Sequence, residues 1–135
     1  MTDLSTFDLY NPTAEHRMLR DTVRAFVKEK VEPQALEHDK HERFNLELFR
    51  AVGEMGLLGI TVDDEYGGSG MDAIAAVIVH EELSWSDPGF CLAYLAHSML
   101  CVNNFAVNGS DEQRRRVLPK LASGEWVGAM GMSEP

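Results

Sequence analysis

The 135-residue chain carries 22 acidic and 12 basic side chains, a formal charge of −10, which argues against a nucleic-acid surface because phosphate binding needs a basic patch. Hydrophobic residues make up 44% and charged residues 25%, a balance that suits one folded domain with a buried core rather than a disordered chain. The longest near-apolar stretches, 73–79 and 99–102, fall short of the roughly 20 residues that a bilayer demands, so no membrane partner is expected.

The first twelve residues, MTDLSTFDLYNP, hold two aspartates and no Lys or Arg, and read as neither a secretory signal nor a transit peptide. A cytoplasmic location is the simplest expectation, or the mitochondrial matrix for a processed eukaryotic protein. From Thr13 to about Val31, Leu19, Val23, Phe26, Val27 and Val31 recur at three- and four-residue steps, the signature of an amphipathic helix with Thr13 as N-cap. Pro33 is expected to bend or end it near Val31. Asn45 reads as the next N-cap, with Leu46, Phe49, Val52 and Met55 on one face, and Gly53 and Gly56 limiting the helix.

The apolar run 57–62 leads into a loop, Asp63 to Gly70, marked by its acidic and glycine content. After Asp72, the run AIAAVIVHEELSW is apolar on most sides and predicts a helix buried in the middle of the domain. Asp87-Pro88 is a helix start, a capping side chain before proline at the first position. That helix runs to about Val107 and is closed by Asn108-Gly109, both tolerant of the left-handed conformation. Ser110 and Gln113 form a capping box for a last helix ending near Ser123-Gly124. Trp126, Val127, Ala129, Met130 and Met132 then read as the start of a strand. A strand without a partner leaves its backbone groups unpaired, so the chain is expected to continue into further structure.

Isolated motifs yield no complete active site. His80-Glu81-Glu82 begins like a zinc-protease helix but lacks the second histidine one turn on, and Glu81-Glu82 are adjacent rather than facing. A solvated or salt-bridged helix edge is the reading for that pair. Gly67-Gly68-Ser69-Gly70 has neither the following Lys nor the spacing of a phosphate loop, and reads as a turn with unusual backbone angles. His97-Ser98 has no evident acid partner, which points to a structural, hydrogen-bonding histidine. The run Arg114-Arg115-Arg116 reads as a solvated helix face. Cys91 and Cys101, without CxxC spacing, are expected to be buried free thiols, and no metal ligands are assigned.

Taken in order, the loop Glu65-Tyr66-Gly67-Gly68-Ser69-Gly70, the stretch HEELSWSDPGFCLAYLAHSMLCVNNF and the stretch NGSDEQRRRVLPKLASGEWVGAMGMSEP resemble the amino-terminal domain of the acyl-CoA dehydrogenase family. The landmarks are Gly109, Glu112-Gln113, Leu118-Pro119, Gly124 and Ser133-Glu134-Pro135, and the resemblance spans Thr13 to Pro135. It implies an all-α amino-terminal bundle of about five to six helices over 1–125, with 126–135 as the first strand of a missing middle β-domain.

The resemblance further implies FAD as cofactor, an acyl-CoA substrate, an electron-transferring flavoprotein as partner and a homotetramer when full length. A glutamate of the family removes the α-proton while the β-hydride passes to the flavin. The residue-by-residue match puts flavin contacts on Met130, Met132 and Ser133, and the acyl end of the substrate pocket on Leu92 and Ala96. It puts no catalytic residue in this chain. An apolar Leu and a small Ala suit a short or branched acyl group, and AHSMLC and GAMGMSEP resemble the isovaleryl-CoA branch of the family. Two alternatives stand beside this reading, a non-catalytic helical partner module and a related flavin oxidase or monooxygenase.

Overall fold

The computed structural model describes residues 8–133. Residues 1–7 and the Glu134-Pro135 part of the last landmark lie outside the described residues. Five helices succeed one another: α1 (14–40), α2 (Leu46–Glu54), α3 (Ala73–Ser86), α4 (Pro88–Asn108) and α5 (Asp111–Ala122). The all-α expectation is met, and no strand is present among the described residues.

Helix starts obey local side-chain chemistry. Thr13, Asn45, Asp72, Asp87 and Ser110 each accept a backbone N–H from three residues on, satisfying a donor that the first turn leaves unpaired. The capping box at Ser110 and Gln113 is complete in both directions. Two of these caps are joined. The His16 ring lies 2.8 Å from the Thr13 hydroxyl through Nδ1 and 2.9 Å from the Asp72 carboxylate through Nε2.

Pro33 does not end α1. The α-turns of Ala14–Phe26 widen into a π stretch, Val27–Val31, and α-geometry resumes over Glu32–Lys40. In the widened turn the Glu32 N–H reaches Val27 O, which carries the bonding pattern past the N–H that Pro33 lacks. Gly53 does not stop α2 either. It sits inside the helix, where a Cβ would fall 2.6 Å from Ser123 O, so its role is close approach to the end of α5. Gly56 is the terminator, with φ +76. Gly109, expected in the left-handed region, is instead extended, at φ −69 and ψ 151. Its missing side chain matters for space, because a Cβ would meet Phe105 O at 2.5 Å.

α3 lies between α1 and α4, burying Ala75, Ala76, Val79 and Leu83 in the larger core with Val23, Phe49, Leu58 and Tyr94. The burial expected for this helix holds for one part of its surface, while Val77 and Trp85 stand in solvent. A smaller core of Val62, Tyr66, Cys101, Val102, Leu118 and Leu121 joins the second half of α4 to α5 and to the loop before α3. That loop is tied by Gly70 N–H to Val62 O and Met71 N–H to Ile60 O, and Gly67 and Gly70 adopt positive φ, as the turn reading expected.

α4 runs unbroken for 21 residues and is, by length and composition, long and apolar enough to cross a membrane. The short apolar runs in the sequence hide this, because histidine, serine and asparagine interrupt them while the helix continues. One side of it, including Tyr94, His97, Ser98 and Val102, is buried against the rest of the bundle.

Candidate functional site

α4 changes register halfway, with α-turns over Pro88–Leu95, a π stretch over Ala96–Val102 and α-turns again from Asn103. A π turn adds a residue to one turn and rotates the remainder of the helix, and such turns are frequent at functional sites. Four side chains of this stretch are buried, His97, Ser98, Cys101 and Val102.

His97 is fully buried, with a relative exposure of 0%, and its ring forms a T-shaped pair with Phe49, centroids 4.9 Å apart. Its Nε2 lies 3.0 Å from Leu121 O, and its Nδ1 accepts the Gly128 N–H at 2.8 Å. With Nδ1 accepting, Nε2 must carry the proton, so the two bonds select one neutral tautomer. Burial pulls the His97 pKa below its ordinary value, against a smaller opposing effect of the Leu121 carbonyl. The expected structural, hydrogen-bonding histidine is therefore present. Its partners lie 24 and 31 residues away in the chain, and no local signal announces them.

The segment that leaves α5 is fixed by short links. Gly124 turns the chain at φ +77, the Trp126 N–H bonds Lys120 O at 3.0 Å, and Lys120 Nζ lies 4.7 Å from the Trp126 ring centroid. At Gly128 a Cβ would fall 2.5 Å from Cys101 Sγ, so only glycine lets the backbone pass this close to α4. The strand expected over Trp126–Met132 is not formed. A ladder needs a second strand beside it, and the described residues supply none.

Of the residues matched to flavin and acyl contacts, Met130 lines a cleft of about 210 Å³ with Leu100, Asn104 and Phe105 of α4. Met132 and Ser133 come after it in the open, Met132 being 72% exposed. Leu92 is 66% exposed on the first half of α4, and Ala96, half-buried, stands one turn further on. Leu92 and Ala96 thus share a helix with the cleft without lining it.

A second polar cluster escaped the sequence reading in its detail. Glu82 of α3 accepts Arg20 at 2.7 Å and Arg24 at 2.9 and 2.8 Å, and Glu81 takes Arg20 at 2.8 Å. Burial pushes the Glu82 carboxyl up, but hydrogen bonds from Arg24 and Arg20 outweigh it and hold the pKa below the ordinary carboxylate range. The salt-bridged edge expected for Glu81-Glu82 is what forms, and it locks α3 to α1. Cys91 and Cys101 are free and buried, as expected, and burial pushes both thiols up.

This all-α domain, with an extended tail held against a π-turned helix, has clear relatives. The family model described as acyl-CoA dehydrogenase, N-terminal domain, matches residues 13–125, and the chain belongs to that family. Mitochondrial isovaleryl-CoA dehydrogenase of Pongo abelii is 46% identical over 123 residues, covering 90% of this chain and 29% of the relative. Among solved structures, a chain from one described as the electron transferring flavoprotein of Acidaminococcus fermentans is similar with a TM-score of 0.88. It has 34% identity over 95% of this chain and 33% of that one. The acyl-CoA dehydrogenase of Bacillus anthracis, solved in complex with FAD, gives a TM-score of 0.78 at 34% identity, over 84% of this chain and 19% of that one. The chain thus spans less than a third of the length of the curated relative.

Proposed function

We propose that this chain is the amino-terminal part of an FAD-dependent acyl-CoA dehydrogenase, one that introduces an α,β double bond into a short or branched acyl-CoA of isovaleryl type. The observation that carries the reading is the 46% identity to an isovaleryl-CoA dehydrogenase, set on a family match covering 13–125. In it, 1–125 forms the helical domain and 126–135 opens the next domain.

The residues beyond Gly128 suit a flavin ring. They offer two exposed methionine side chains, the Ser133 hydroxyl and backbone groups outside any helix. Met130 and Met132 would supply apolar contact to the ring, and Ser133 a hydroxyl hydrogen bond. Flavin, when bound, supplies the hydride-accepting chemistry, and this chain contributes binding and exclusion of water. Leu92 and Ala96 would meet the acyl tail, where apolar contact discriminates neighbouring chain lengths by roughly 1–3 kcal/mol per methylene. The base that removes the α-proton is assigned to no residue of this chain.

Electrons would pass to an electron-transferring flavoprotein, the kind of protein named for the similar Acidaminococcus structure. A homotetramer completes the reading, in the cytoplasm or, for a eukaryotic protein, the mitochondrial matrix. The test is to produce the chain together with whatever its gene encodes beyond Pro135. A yellow protein whose flavin absorbance bleaches with isovaleryl-CoA, and whose reduced flavin reoxidises faster with electron-transferring flavoprotein than with oxygen, is the expected result. A colourless protein that no acyl-CoA bleaches overturns it. Rapid reoxidation by oxygen would reassign the chemistry to an oxidase.

A further inference from the structure

We propose that His97 is a positioning residue for the flavin-facing segment, its imidazole holding Gly128 against α4 so that Met130, Met132 and Ser133 are presented at a fixed height. The proposal rests on the reading that these three residues face the flavin.

Four observations meet at this ring. The tail after α5 runs outside any helix or ladder, so its position depends on individual anchors. Trp126 is tied locally to Lys120 O, whereas the Gly128 N–H reaches the buried ring of His97 at 2.8 Å. The ring cannot turn to accompany a moving tail. Its Nε2 is bonded to Leu121 O at 3.0 Å and Phe49 packs against it in a T-shape, centroids 4.9 Å apart. The fourth observation is steric. A Cβ on residue 128 would come within 2.5 Å of Cys101 Sγ, so the backbone already rests on the helix surface.

His97 lies in the π stretch, buried as Cys101 is. An extended chain advances at most about 3.3–3.6 Å per residue, which places Met130 within about 7 Å of the anchored Gly128. A displacement of the anchor is therefore passed to the flavin contacts with little chain in between to absorb it. Any buried neutral imidazole needs a partner for each of its nitrogens, and one neighbouring segment could serve both. This ring instead joins the end of α5 to the tail by two directional bonds of opposite sense, donor at Nε2 and acceptor at Nδ1.

The two bonds can be separated by substitution. Asn places a carbonyl oxygen near the site of Nδ1 and can keep the Gly128 bond, while Gln places an N–H near the site of Nε2 and can keep the Leu121 bond. In the flavin-loaded protein, H97N is expected to retain FAD affinity within about twofold, and H97Q to bind FAD about tenfold more weakly, the size of one lost hydrogen bond. Both are to be compared at matched melting temperature. Equal FAD affinity in H97Q and wild type overturns the proposal, as does equal loss in both variants.

A readout independent of flavin comes from ¹⁵N-histidine spectra of the unsubstituted chain. The expected pattern is a neutral His97 protonated at Nε2, with a Gly128 amide slow to exchange. A ring protonated at Nδ1, or a freely exchanging Gly128, also overturns it. If the wild-type protein binds no FAD while the ¹⁵N pattern is as expected, the flavin reading has failed and the anchoring has not.

Discussion

Replacing Glu82 by Gln keeps the shape of the side chain and removes its charge, and the structure sets the cost. The Glu82 side chain is 9% exposed and takes three hydrogen bonds from two guanidinium groups, while the Arg20 side chain is 11% exposed. Breaking a buried pair by removing one charge costs about 3–5 kcal/mol, because the remaining charge stays desolvated. Glu81 still reaches Arg20 at 2.8 Å, which argues for the low end, about 3 kcal/mol.

For a domain of this size that corresponds to a fall in melting temperature of roughly 10 °C. The matched control is E81Q. Glu81 is 53% exposed, and a pair at the surface contributes about 1 kcal/mol or less. Urea denaturation of both variants, with unchanged slope to certify that the native state is intact, measures the two losses. If E82Q lies within about 0.5 kcal/mol of wild type, the range of an ordinary surface substitution, or if E81Q costs as much, the account of α1–α3 locking by a buried carboxylate is refuted.

The shifted groups carry two further expected outcomes. His97, held below its ordinary value of 6.5, is neutral in both folded and unfolded chains at higher pH, so its contribution is complete there. As pH falls through about 6.5 the unfolded chain takes up a proton that the folded one refuses, and stability drops by up to about 1.4 kcal/mol per pH unit. Glu82, held below its ordinary 4.5, adds a separate loss only under more acid conditions. Denaturation midpoints between pH 7.5 and 5 should fall for wild type and less steeply for H97N, and parallel curves would contradict the assignment. Cys91 and Cys101, buried and pushed toward the thiol form, should react with a disulfide reagent only as fast as the domain opens. Modification of both thiols in native buffer at the rate seen in denaturant would show that they are accessible.

Features decided within one helical turn are legible from residue order. Thr13, Asn45, Asp87 and Ser110 cap where their chemistry says they should, since the bonded N–H is three residues away. The rule that proline ends a helix is a rule for α-turns, and α1 escapes it by widening before Pro33. The larger core rewards the continuation by burying Val27 and Val31. Gly53 and Gly109 are special for a reason other than the expected one. Contact of Gly53 with Ser123 depends on where distant backbone passes, whereas Gly109 meets the Phe105 carbonyl four residues back because the cap turns to extended angles. The alternation in Trp126–Met132 is genuine, yet a ladder depends on a second strand as well as on pattern.

The candidate site is less legible still. Met130, Met132, Ser133, Leu92 and Ala96 come from a family resemblance, and periodicity alone does not single them out. The bonds of His97 and the arginines around Glu82 join residues separated by 24 to 62 positions, where only folding brings them together.

The imidazole of His16 touches the caps of two helices that begin 59 positions apart, at Ala14 and Ala73. Helix ends ordinarily fray one at a time, each on its own small free energy. Here one bond, His16 to Asp72, joins the first turns of α1 and α3, so loosening either end removes a contact of the other. Exchange at the first amides of the two helices is therefore expected to be correlated, the loss of His16 raising it at both ends rather than at α1 alone.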